Sequence, residues 1–160
     1  MEKSGENSER LWKTHSDIRS SAVFVGEYNH SIDDKGRLAI PAKMRASLLE
    51  GAVVTRGIDN CLSVYPKNEW TKLAEKIAAL PLADPKARSF SRLMLAGAMD
   101  VEFDKQGRVL LPAYLREYAD IRGEIVVAGV YNRMELWNKK AWEAYKAQHT
   151  VEEDLSSLNI

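Results

Sequence analysis

Tyr28, His30 and Ile32 alternate with polar neighbours, the period of two that marks a half-buried strand. Asp33-Asp34-Lys35-Gly36 follows as turn chemistry, with Gly36 free to adopt positive φ. Arg37 to Ile40 reads as a second strand. Pro41 suits the first turn of a short helix, Ala42 to Leu49, where a missing N–H costs nothing. Val53 to Arg56 and Leu62 to Tyr65 are two further strands around an Ile58-Asp59-Asn60 turn. Trp70, Leu73, Ile77 and Leu80 then fall on one face of a helix from Lys67 to Leu80, which Pro81 stops. Asp84-Pro85 predicts an N-cap and first position for another helix, running to about Leu95.

The same pattern then starts again. GEYNHSIDDKGRLAIPAKMR begins at Gly26, and GAMDVEFDKQGRVLLPAYLR begins at Gly97. The matched identities include Gly26/Gly97, Asp33/Asp104, Gly36/Gly107, Arg37/Arg108, Pro41/Pro112 and Arg45/Arg116. After a one-residue insertion they resume at Gly57/Gly129, Asn60/Asn132, Lys67/Lys139 and Trp70/Trp142. Such density at constant offset identifies two copies of one unit of roughly 45 residues. A unit of four short strands and one short helix is too small for a core of its own, and its sheet edges would be unpaired. Pairing between the two copies within the chain removes both problems. The second copy ends in a helix near Lys139 to Gln148, and the acidic tail Glu152 to Ile160 carries no readable role. The expected organisation is a disordered extension over 1–22, repeat 1 over 27–69, connecting helices over 70–97, repeat 2 over 98–141, and a helix end and tail over 142–160. The extension is expected to be dispensable, with Val23 as the true start.

Length and composition narrow the class. A chain of 160 residues buries roughly 70% of its unfolded surface, enough for one compact domain or two small ones. It has no apolar run long enough to span a membrane, and its N-terminus lacks the apolar core of a secretory signal. A single cysteine, Cys61, excludes an internal disulfide and agrees with a reducing cytoplasm. Its 23 basic residues balance 23 acidic ones. A neutral chain lacks the broad basic field of most nucleic-acid binders, so any such function rests on local clusters or on many weak contacts.

The repeats carry one local cluster each. The pattern D-x-x-x-R, then apolar-x-apolar-Pro-Ala-x-x-Arg, runs from Asp33 to Arg45 and from Asp104 to Arg116. D-x-x-x-R alone is uninformative; the full thirteen-residue pattern twice over is specific. In the first copy Lys35, Arg37, Lys43 and Arg45 oppose only Asp33 and Asp34. Arg37 and Lys35 sit at a strand–turn–strand tip, where side chains project. Arginine pairs bidentately with guanine O6 and N7, whereas lysine is a point charge suited to phosphate. Asp33 has an alternative use, a local ion pair with Arg37 that fixes the turn, and this is compatible with DNA contact by Arg37. Arg45 and Arg116, on the short helices, read equally as DNA contacts or as structural residues. The candidate DNA-binding residues are therefore Lys35, Arg37, Arg45, Arg108 and Arg116.

DDKGRLAIPAKMR and DKQGRVLLPAYLR resemble the looped-hinge motif of the SpoVT-AbrB DNA-binding fold. Two copies in one short chain, with TRGIDNCLSVYP after the first and NRMELW after the second, are similar to the MraZ family of transcriptional regulators. The linking stretch PLADPKARSFSRLMLAGA is similar as well. The resemblance spans Phe24 to Lys146 and implies an α+β, mainly β fold: a swapped-hairpin barrel formed by two tandem repeats, with flanking helices. It further implies ring-like homo-oligomers in the cytoplasm, associated with the nucleoid. Their target would be G-rich direct repeats in double-stranded DNA upstream of the chain's own operon of division and cell-wall genes.

Other classes fit less well. Asp33, Asp34 and Asp104 are unaccompanied by a nucleophile–base pair, a phosphate-cradling glycine loop or a metal motif, so no catalytic residue and no small-molecule substrate is expected. His15, His30 and His149 are scattered, and with one cysteine they offer no metal-ligand spacing; no cofactor is expected. An antitoxin-like interaction module would carry one motif copy and a long wrapping tail, whereas here the second half is a second copy. Lys86, Arg88 and Arg92 read as a solvated helix face, and Trp70 and Trp142 as core or subunit packing. Over 29–45 the charge stays at +2, but over 100–116 Asp100 and Glu102 bring it to zero. Repeat 1 is therefore expected to carry most of the DNA contact.

Overall fold

The structure, a computed structural model, describes residues 23–159; the expected disordered extension lies outside the described residues. Repeat 1 opens with β1 (Phe24–Ile32) and β2 (Arg37–Ala39), joined by the Asp33–Gly36 turn. Helix α1 (Ala42–Arg45), β3 (Ala52–Arg56), β4 (Leu62–Pro66) and helix α2 (Lys67–Ala78) follow. Helix α3 (Pro85–Ser91) leads into repeat 2. There β5 (Met99–Val101), β6 (Arg108–Leu110), α4 (Ala113–Ala119), β7 (Gly123–Tyr131), β8 (Met134–Asn138) and α5 (Lys139–Ala147) replay the order.

The strands form one eight-stranded antiparallel sheet in the order β5-β3-β4-β8-β7-β1-β2-β6. A bridge between Phe103 and Val109 joins the β5 end to β6 and nearly closes the sheet into a barrel. The Ile32–Leu38 pair of β1 and β2 is the counterpart of that bridge at the repeat offset. The first hairpin of each repeat leaves its own unit and pairs with the other. β1 runs along β7 from Phe24–Tyr131 to Ile32–Gly123, while β5 lies on β3. β4 pairs with β8, and β2 with β6, across the approximate two-fold axis. This is the swapped-hairpin, mainly β arrangement, with the helices flanking it.

The core repeats the symmetry. Leu38 and Val109, Ile40 and Leu111, Met44 and Leu115, and Leu48 and Ala119 are matched pairs, and all are buried. Around half the barrel both faces are covered: β3 and β4 are buried almost throughout. Across β8, Trp137 packs against Trp142 and Tyr145 of α5 at 5.2 and 5.1 Å between ring centroids. Over β2 and β6 only the inward residues Leu38 and Val109 are buried. That bare outer face carries the candidate site.

Several boundaries differ from the sequence reading for visible reasons. The helix expected to reach Leu49 ends at Arg45 and tightens into a 3₁₀ turn over Ala46–Leu48, which seats Leu48 in the core. The helix expected to reach Leu95 keeps its Asp84 cap, whose carboxylate accepts from the Lys86 amide at 2.9 Å. It widens into a π-helical turn over Arg92–Ala96. There Arg56 Nη1 donates to the Leu93 carbonyl at 2.9 Å and the Thr55 hydroxyl to the Met94 carbonyl at 2.8 Å. Side chains inserted into the carbonyl ladder are a usual cause of such a bulge. The tail, unreadable from sequence, contains helix α6 (Val151–Ser157), capped by the Thr150 hydroxyl accepting from the Glu153 amide at 3.2 Å.

A fragment of residues 24–80 would lack β7 and β8 and so leave β1 and β4 with open edges. Expressed alone, it is expected to be unfolded or to dimerise by reciprocal swapping. Sedimentation with circular dichroism checks this, and a stable folded monomer would contradict it.

Candidate nucleic-acid interface

The two D-x-x-x-R turns have one construction. In the first, Asp33 Oδ1 accepts from the backbone amides of Lys35 and Arg37 at 3.0 and 2.8 Å, and Oδ2 accepts from Arg37 Nε at 2.6 Å. In the second, Asp104 Oδ1 accepts from the amides of Gln106 and Arg108 at 2.8 and 2.9 Å, and Oδ2 from Arg108 Nε at 2.8 Å. Gly36 and Gly107 close the turns at φ +83° and +74°, a conformation that side chains strain. The spacing follows from this geometry: the aspartate caps its own turn and clamps the arginine that leaves it. The hydrogen bond donated by the arginine's backbone N–H is the largest cause holding each aspartate below its ordinary value, and the guanidinium adds to it.

Because β2 pairs with β6 in the register Arg37–Leu110, Leu38–Val109 and Ala39–Arg108, both arginines emerge on the same outer face. They differ there. Arg108 Nη1 also lies 4.0 Å from Asp33 Oδ2, so its charge is shared between two carboxylates, and its side chain is 28% exposed against 36% for Arg37. In each clamp the bond to aspartate uses Nε, leaving the two Nη groups as the remaining donors. Lys35 is exposed at the tip of the first turn.

Arg45 and Arg116 are placed differently. Each reaches from its short helix across to the turn of the other repeat. Arg116 Nε donates to the Leu111 carbonyl at 3.0 Å, and its guanidinium lies so close over Gly36 that a Cβ there would meet it at 2.8 Å. Arg45 covers Gly107 in the same way. The backbone repeats the exchange, with the Leu111 amide donating to the Gly36 carbonyl at 2.8 Å and the Ile40 amide to the Gly107 carbonyl at 3.4 Å. Sequence reasoning missed this crossed contact, since no spacing within one repeat reports a partner in the other. The Lys86, Arg88 and Arg92 stretch stands elsewhere, and Arg88 Nη1 donates to the Leu82 carbonyl at 2.8 Å. Among the described residues no group of three or more His, Cys, Asp or Glu is placed to hold a metal. None of the described helices is long and apolar enough to cross a membrane. Cys61 is buried, and burial pushes its thiol up to about 12, far from a nucleophile's range.

The family described as "MraZ protein, putative antitoxin-like" matches this chain twice, over residues 23–93 and 94–157. A protein of Halothermothrix orenii named "Transcriptional regulator MraZ" is 49% identical over 138 residues, covering 85% of this chain and 96% of its own. Its namesake in Natranaerobius thermophilus is 51% identical over 126 residues, covering 79% and 88% respectively. In Caldanaerobacter subterraneus the identity is 46% over 143 residues, covering 86% and 100%.

The clamps set a pH dependence. Both carboxylates are held ionised by bonds that exist only in the fold, so they stabilise it fully above the ordinary aspartate value of 3.8. That contribution fades as pH falls through their lowered folded values. Carboxyl-detected NMR titration should find both Asp33 and Asp104 below 3.8; titration of either at or above it would show that its clamp is open in solution.

Proposed function

The chain belongs to the MraZ family of transcriptional regulators, and from that premise we propose that it binds double-stranded DNA through the outer face of β2 and β6. The observation that carries this reading is the convergence of Arg37 and Arg108, from two repeats, on one otherwise bare face. Two paired strands fit a major groove, and an arginine held by its Nε presents its Nη pair to guanine O6 and N7. Lys35, at the turn tip, suits a phosphate. Arg45 and Arg116 add positive charge beside the face while holding the opposite turn. The matching target is a G-rich sequence repeated in tandem, upstream of the chain's own operon of division and cell-wall genes. The site of action is then the cytoplasm, at the nucleoid.

The two arginines are not equivalent in this reading. Arg108 shares its charge with Asp33 as well as Asp104, and the segment before it contributes Asp100 of β5 and Glu102 just after that strand, which repel phosphate. Arg37→Ala should cost about 1–3 kcal/mol per engaged site if it reads a guanine, and Arg108→Ala clearly less. Paired titrations at fixed salt on the chain's own upstream duplex check this, with assembly verified for each variant. Loss of binding in Arg108→Ala but not in Arg37→Ala, with both assembled, would reverse the roles.

Neutral net charge limits phosphate contacts per subunit, so useful affinity requires several subunits on several tandem sites. The chain is therefore proposed to work as a homo-oligomer, ring-like in form. Affinity should drop sharply on a duplex cut down to one sequence repeat. Equal affinity for one-repeat and multi-repeat duplexes at the same salt would argue against multivalent binding.

A further inference from the structure

The face that carries the arginines also carries a large apolar side chain. Leu110, the last residue of β6, is 65% exposed. The register places it directly opposite Arg37, where side chains on one face stand about 5 Å apart at Cβ. The core does not use it: its neighbours Val109 and Leu111 point inward and are buried. Its counterpart at the repeat offset is Ala39, which lies opposite Arg108. The pseudo-symmetric face is thus chemically lopsided, with arginine beside leucine in one half and arginine beside alanine in the other.

We propose that Leu110 is a specificity residue that packs on the 5-methyl group of a thymine next to the base engaged by Arg37. In the major groove the only apolar feature that base edges of unmodified DNA present is the thymine methyl, and aliphatic side chains are its natural partners. A leucine kept in water on a face otherwise made of arginine, aspartate and alanine gains free energy only when something apolar covers it. The spacing agrees, because cross-strand neighbours about 5 Å apart at Cβ can reach adjacent base pairs stacked 3.4 Å apart. Since Ala39 is too short to make the same contact, Leu110 also gives the face a direction along the DNA. A two-fold face with identical halves would bind a site in either orientation; this one distinguishes the two.

The inference rests on the DNA-binding reading above, and the test separates the two. The chain's own upstream fragment is amplified, from primers outside the site, once with thymidine triphosphate and once with deoxyuridine triphosphate, which removes every 5-methyl group from the site and leaves the base-pairing edges intact. The wild-type protein should bind the uridine duplex more weakly, on the order of fourfold for each engaged subunit, the effect of burying one methyl group. Leu110→Ala should bind both duplexes equally, at the wild-type level for the uridine duplex. Tight wild-type binding to both duplexes alike would overturn the role of Leu110 and leave DNA binding standing. So would a Leu110→Ala variant that still discriminates, since the methyl would then be read elsewhere. A Leu110→Ala protein that loses its assembly without DNA would place Leu110 at a subunit contact and overturn the proposal as well. Failure of the wild-type protein to bind either duplex would sink both readings.

Discussion

Everything in this molecule depends on strands of one repeat finding their partners in the other. β1 satisfies its backbone on β7, β5 on β3, and β4 and β8 meet across the pseudo-axis. Each repeat alone offers a hairpin with nothing beside it and a second hairpin with an open edge, a state that exposed N–H and C=O groups make unstable and prone to association. Exchange within one chain resolves this at low entropic cost, because loop closure grows only slowly with the length of the connection. The connection itself is fixed in place: Arg56 lies between the rings of Tyr114 and Tyr118 while it bonds to Leu93, tying β3, the linker and α4 together.

The arginine face is a consequence of that exchange. β2 and β6 are three-residue strands, too short to hold a geometry alone. They are held by mutual pairing, by the Gly36 and Gly107 carbonyls that accept from the opposite repeat, and by Arg45 and Arg116 reaching across. Each arginine of a D-x-x-x-R turn is then positioned twice, locally by its aspartate and globally by the other repeat. Such preorganisation lowers the side-chain entropy lost on binding. It also gathers Arg37 and Arg108 on one face of a chain whose net charge is zero.

Much of this was legible in the sequence because it is written in local chemistry. The alternation at Tyr28, His30 and Ile32 marked β1, the Asp84-Pro85 pair marked the start of α3, and the repeat offset located matched core residues such as Leu38 and Val109. The recurrence of D-x-x-x-R located the turns, and the Asp33–Arg37 ion pair was one of two uses open to that aspartate. What stayed hidden depends on contacts between distant segments. No pattern within one repeat says that Arg116 covers Gly36, that Arg108 feels Asp33, or that Leu110 faces water rather than core. Helix α6 was missed for a different reason. Its cap, Thr150 with Glu153 three residues on, was readable, but an acidic segment with little apolar content carries no periodic signal.

Two turns, one from each repeat, form a single face, and the proposed DNA contact engages both together. Hydrogen–deuterium exchange of the assembled protein, followed peptide by peptide while its own upstream duplex is added, tests this most directly. Segments 31–39 and 102–111 should gain protection together, at the same duplex concentration. Protection that appears elsewhere while both segments keep their free-state exchange rates would contradict it.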